Sequence, residues 1–159
     1  MGVRMSGKSS LKGINRPEDH VGFWLNLLAR AGAKSFERAL EKHGVTIAQW
    51  VVLRALYGRE SSLNELSQAI GLDLGSTSGL VERLVQKKLV NREIPPEDRR
   101  SVRLSLTSAG VDLVPELAVT ASRHDEAFFA KISKTKKDQL LAIVMELIQK
   151  HEILPRVME

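Results

Sequence analysis

The residues of this chain that could do chemistry are concentrated in two short stretches. "PPEDRRSVRLSLTSAG", Pro95 to Gly110, sets Arg99, Arg100 and Arg103 beside the alternating run Val102, Leu104, Leu106. "LGSTSGLVERL", Leu74 to Leu84, sets Ser76, Thr77 and Ser78 between Gly75 and Gly79, with Arg83 beyond them. Arginines on an extended ribbon suit a polyanion, because the guanidinium is permanently charged and its forked donors match phosphate oxygens. Short hydroxyls near a helix start can hydrogen-bond to base edges or phosphates, and neighbouring glycines permit close approach. Lys87 and Lys88 lie further along and can reach phosphates, which position a protein on a duplex without reading its sequence.

Other chemistries lack their residues. There is no cysteine, which excludes disulfides, thiolate zinc sites, cysteine nucleophiles and thiol redox sensing. His20, His43, His124 and His151 show no metal-ligand spacing such as i, i+4 on one helix. Each reads as a surface or partly buried helix residue, and no metal is expected. "GLDLGSTSG" has glycines but neither the spacing nor the lysine of a phosphate loop, and no nucleophile motif or dinucleotide fingerprint appears. The chain is therefore not expected to be an enzyme or to carry a cofactor.

Composition sets wider bounds. The 159 residues, 43% hydrophobic and 27% charged, suit one domain with a real core, or one domain plus an oligomerisation element. No apolar run approaches the roughly 18 to 20 residues that span a bilayer. The N-terminus lacks the apolar core of a signal peptide. A cytoplasmic location without membrane contact is the expectation. The net charge is +5, but Arg4, Lys8, Lys12 and Arg16 place four of those charges in residues 1–16. That segment reads as a disordered basic tail from its Gly, Ser and Lys content. A nucleic-acid partner must therefore be argued from patterning and not from total charge.

The elements that must position these residues follow from periodicity and caps. Pro17 to His43 reads as one long helix, with Val21, Leu25, Leu28, Gly32, Phe36 and Leu40 at three- and four-residue steps and Gly44 as a stop. Thr46 and Gln49 form a capping box for a second helix to about Tyr57, with Trp50, Leu53 and Leu56 inward. Ser62 and Glu65 repeat the device for a third, ending near Ile70. Asp73 caps a fourth that runs to about Lys88, with Leu80, Leu84 and Val81 inward. Leu89 to Ile94 and Ser101 to Leu106 read as two strands joined by a proline turn. Thr107 caps a fifth helix to about Lys131, in which Pro115 should kink the helix or shift its start. Thr135 to Asp138 begin a sixth, to about His151, whose Leu140, Leu141, Ile143, Val144, Leu147 and Ile148 spread beyond one stripe and so need a partner.

Two short helices joined by Gly71-Leu72-Asp73 and followed by a hairpin make a winged helix-turn-helix. The fold expected is mainly α with a small β-hairpin. A winged helix-turn-helix lobe spans residues 46–107, flanked by helical regions over 17–45 and 108–159. In such a lobe the first turns of the recognition helix meet base edges in the major groove, and the wing arginines enter the adjacent minor groove. Residues 74–107 carry seven basic and four acidic groups. That net charge of +3 per lobe is enough for salt-dependent binding to DNA.

Spaced motifs in this order resemble the MarR family of bacterial winged helix-turn-helix regulators. Asp98, Arg100, Leu106 and Thr107 fit the family's D-x-R, five residues, L-T wing pattern, with Gly110 where a glycine usually follows. "HGVTIAQWVVLRAL" (His43 to Leu56) resembles the start of its second helix, and "LNELSQAIGLDLGSTSGLVERLVQKKLVNRE" (Leu63 to Glu93) its helix-turn-helix and first wing strand. The resemblance covers residues 17 to 151. Gly79 stands where the family often has a basic residue, and Lys88 where it often has glycine.

The resemblance implies a homodimer on a palindromic double-stranded operator, with residues 17–45 and 108–159 as its helical dimerisation region, acting mainly as a repressor. It also implies that Asp98 and Arg100 pair and stiffen the wing. Members often sense a small, frequently aromatic or anionic molecule between the dimer helices and the DNA-binding lobe. His20 with Trp24, and Trp50 with Arg54, share helix faces at i, i+4 and are the candidate ligand-binding residues. Core packing of both tryptophans and a surface ion pair for Arg54 are the simpler account. The rival reading of the whole chain is a winged-helix protein-interaction module that does not bind DNA.

Overall fold

A computed structural model describes residues 16–94 and 102–153. The basic tail and the wing-tip residues Asp98, Arg99 and Arg100 lie outside the described residues, as does the expected pairing of Asp98 with Arg100. The described elements are a 3-10 turn Pro17–Asp19, α1 Val21–Glu41, α2 Ile47–Leu56, β1 Ser61–Ser62, α3 Leu63–Ile70, α4 Leu74–Gln86, β2 Val90–Glu93, β3 Arg103–Leu106, α5 Ser108–Phe129 and α6 Lys134–Lys150.

Caps decide where most helices begin. Thr46 Oγ1 accepts from Gln49 N at 3.2 Å and Gln49 Oε1 accepts from Thr46 N at 3.2 Å. Ser62 and Glu65 repeat the exchange at α3. Asp73 opens α4, Thr107 opens α5, and Ser133 opens α6 slightly ahead of the expected Thr135. α5 continues through Pro115, so the missing N–H there does not move the helix start set by Thr107. Among the described residues no helix is long and apolar enough to cross a membrane.

The chain divides into two units, residues 1–34 and 35–159. In the first, the long helix expected from Pro17 begins only at Val21. Asp19 Oδ2 accepts from Arg16 N at 3.0 Å and closes a separate turn, and His20 is extended at φ −106°, ψ 130°. Trp24 Nε1 donates to Glu18 O at 2.9 Å, which ties the turn to the helix. Val21, Phe23, Trp24, Leu25, Leu27 and Leu28 are all substantially exposed.

The second unit holds a core of Leu40, Val52, Leu53, Leu56, Leu66, Val81, Leu84, Leu104 and Leu117. It draws on the end of α1, on α2 to α5 and on the sheet. α2 packs against both α3 and α4, so the helix-turn-helix is seated on a third helix. The sheet has three strands in the order β1-β3-β2, one more than the expected hairpin. β1 is only two residues long, Ser61 opposite Leu104 and Ser62 opposite Arg103, too short to leave a period in the sequence. Alternation places Leu104 fully inside and Arg103 on the outer face.

The wing is clamped to α5 through backbone. Thr107 N donates to Leu89 O at 3.1 Å and Thr107 Oγ1 donates to Lys88 O at 2.7 Å. Gly110 sits in the first turn of α5 against this joint. A Cβ there would lie 2.2 Å from Leu89 O, so backbone packing itself demands glycine.

Candidate nucleic-acid interface

The recognition helix α4 is organised by Asp73. Its carboxylate accepts from Ser76 N at 2.9 Å and from Ser76 Oγ at 2.7 Å. The Ser76 hydroxyl and amide hold the Asp73 carboxyl below its ordinary range. Ser76 is exposed, but its hydroxyl proton is committed to Asp73. Its oxygen therefore meets a ligand as an acceptor, suited to base amino groups.

The three hydroxyls divide. Thr77, expected beside Ser76 and Ser78 at the interface, is fully buried, and its Oγ1 donates to Asp73 O at 2.9 Å. One turn of helix carries residue 77 onto the face of Leu80, Val81 and Leu84, so Thr77 serves the core and cannot touch DNA. Ser78 is half-buried and Arg83 is exposed. Around Gly79 a Cβ would meet nothing within 4 Å, so no packing requires glycine there.

The two lysines at the end of α4 are placed differently from each other. Lys87 Nζ donates to Gly44 O at 2.6 Å and to Gln49 Oε1 at 2.9 Å. The ammonium is occupied in tying α4 to the α1–α2 corner. Lys88 is exposed but left-handed, at φ +59°. Leu89 N donates to Leu84 O at 2.9 Å and Lys88 N to Val85 O at 2.8 Å, the paired bonds of a helix C-terminus that usually ends in glycine. The left-handed conformation costs a residue with a Cβ about 1–2 kcal/mol, part of which glycine would return as unfolded-state entropy. Lys88→Gly is expected to raise stability by up to about 1 kcal/mol, or roughly 2–4 °C in Tm. Thermal unfolding at fixed protein concentration checks this, and a lower Tm would show that the side chain contributes more than its backbone strain costs.

Arg103 stands on the exposed face of β3, with its guanidinium Nε 3.4 Å from Glu60 Oε2. Sequence spacing gave no signal for this partner, because the contact depends on the β1–β3 register. Glu65, near by, is occupied as a cap. The Ser62 backbone N–H, followed by its hydroxyl, holds the Glu65 carboxyl below its usual value.

The proposed ligand-binding residues are not gathered into one helix-face arrangement. His20 is exposed and precedes α1, so the helical i, i+4 relation to Trp24 does not hold. Trp24 is about half exposed. Trp50 packs against the core and Arg54 is exposed on α2. Neither of two cavities formed by the described residues is lined by these four. One of about 490 Å³ lies between α5 and α6, lined by Phe129, Leu140, Leu141 and Val144 with Asp125, Lys137 and Asp138. The other, about 260 Å³, lies under Arg103.

His43 and His124 are structural ties. His43 Nε2 shares a hydrogen bond with Thr120 Oγ1 at 2.9 Å, and His124 Nε2 shares one with Ser35 Oγ at 2.6 Å. The His124 ring also stacks on Phe128, with centroids 5.8 Å apart. Among the described residues no group of three histidines or carboxylates could hold a metal ion.

This geometry agrees with known proteins. A family model described as the MarR family matches residues 43–101. The organic hydroperoxide resistance transcriptional regulator of Bacillus subtilis is 31% identical over 103 residues, which cover 64% of this chain and 69% of the relative. A probable transcriptional regulator from Pseudomonas aeruginosa superposes with a TM-score of 0.75 at 28% identity, covering 84% of this chain and all of that one. BpsR of Bordetella bronchiseptica, whose structure concerns regulation of its DNA binding by 6-hydroxynicotinic acid, superposes with a TM-score of 0.74 at 27% identity, covering 85% and 97%.

Proposed function

Since the chain belongs to the MarR family of transcriptional regulators, we propose that it binds a palindromic duplex as a homodimer, each copy presenting one winged helix-turn-helix lobe. The observation that carries this reading is the outer arc of α4, with Ser76 and Arg83 exposed and Ser78 half-buried, on the same unit as the exposed wing arginine Arg103. Residues 46–107 form the lobe that meets DNA, and residues 17–45 and 108–159 pair with the second copy. Phosphates are met by Arg83, Lys88, Arg103 and the wing-tip Arg99 and Arg100. Ser76 and Ser78 face base edges. Both lobes must reach grooves about one helical turn apart, so a small change in their spacing weakens binding.

The protein acts in the cytoplasm as a repressor and not as an enzyme. A small aromatic or anionic effector releases it, a reading supported by the relative whose DNA binding is regulated by 6-hydroxynicotinic acid. Trp24, Trp50 and Arg54 remain the effector-facing candidates, with His20 at the entrance of α1.

Selection of bound duplexes from a random pool tests binding, symmetry and half-site spacing together. A palindrome with half-sites one turn apart is expected, and enrichment of no duplex would favour a protein-docking module. On the selected duplex, Arg83→Ala with Arg103→Ala should weaken binding and flatten the salt dependence by about 0.9 for each phosphate contact removed. An unchanged salt slope would remove both arginines from the interface.

A further inference from the structure

We propose that Glu60 is a positioning residue for Arg103 and restrains duplex binding by holding that guanidinium against the edge of the sheet. The inference rests on the DNA-binding reading above. Glu60 immediately precedes β1, the outer strand whose Ser62 lies opposite Arg103. This register brings the Glu60 carboxylate to 3.4 Å from Arg103 Nε. The guanidinium lies beside the small cavity that Glu60, Ser61, Ser62, Glu65 and Val102 line with it. Glu65 already accepts from Ser62 N at 2.7 Å, and Glu93 lies opposite Arg103 in the β2–β3 register, yet the ion pair that Arg103 makes is with Glu60.

Both side chains are more than half exposed, at 54% and 60%. Such a pair is weak in water. It is strong enough to bias the free side chain and weak enough for a phosphate to displace. A phosphate competes for the same forked donors. A phosphate that takes the Nε–H breaks the pair, and one that binds the other donors meets the Glu60 carboxylate beside them. Glu60 thus sets how readily Arg103 is released.

The test is a two-by-two set of full-length chains: wild type, Glu60→Gln, Arg103→Gln and the double variant. Binding is measured on the duplex that the wild type selects. Glu60→Gln keeps the side chain's size and removes its charge. It should tighten binding about two- to fivefold, the span of a surface ion pair. In the Arg103→Gln background the same change should give no comparable gain. An equal gain in both backgrounds would overturn the proposal, since Glu60 would then act only through bulk charge. Weaker binding by Glu60→Gln would overturn it in the other direction, since Glu60 would then present Arg103 to DNA. Unchanged affinity would sink the restraint and leave the DNA-binding reading standing. A wild type that selects no duplex would sink both.

Discussion

Replacing Gly110 by alanine should lower stability by about 3 kcal/mol or more and reduce Tm by roughly 6–12 °C at fixed protein concentration. The added methyl would lie 2.2 Å from Leu89 O and 3.4 Å from Leu106 Cβ. The first obstacle is backbone, not the far end of a flexible side chain. That carbonyl already accepts from Thr107 N, and Thr107 in turn caps α5 by accepting from Gly110 N at 3.0 Å. Moving the carbonyl would break the joint between wing and helix. Moving α5 would pull Val114 and Leu117 from the core. Gly79→Ala is the matched control. It adds the same methyl inside a helix where nothing stands within 4 Å, and it should hold or raise Tm. Equal melting of Gly110→Ala and wild type would show that the joint yields without strain.

Ile143→Glu combined with Leu147→Glu should convert the homodimer to monomers. These residues are 57% and 45% exposed on a single chain, and four residues apart they share one face of α6. With α6 pairing across the two-fold axis as proposed, each substitution counts twice and four apolar side chains would leave the interface. At about 1.5 kcal/mol each, the loss is about 6 kcal/mol, some four powers of ten in the dimer dissociation constant. Sedimentation equilibrium would read the mass and circular dichroism the retained helix. Duplex affinity should collapse with the mass, because one lobe engages only one half-site. A variant that stays dimeric would place the interface on another surface.

Much of this architecture is legible in the sequence because local rules and the global fold agree. Thr46 with Gln49, Ser62 with Glu65, Asp73 and Thr107 all start helices as their types and spacing predict. The inward set Leu53, Leu56, Leu80, Val81 and Leu84 is buried. What could not be read depends on where distant segments meet. β1 exists only as a partner for β3. Glu60 finds Arg103 through that register, and Lys87 finds Gly44 across 43 residues. Thr77 departs from its expected place for a local reason. A run of three hydroxyls suggests one polar surface, yet helical rotation turns its middle member toward the leucines. His20 falls ahead of α1 because the Pro17–Asp19 turn delays the helix to Val21.

The tie made by Lys87 bears on how the lobe can respond to any signal. One ammonium bridges Gly44 O and Gln49 Oε1, while the adjacent His43 is bonded to Thr120 of α5. Tilting α4 away from this corner would strip two acceptors from a cation. Sliding or swivelling of the reading element on its own is therefore disfavoured. The tie couples the corner to the helix, so a displacement of the one is passed on to the other.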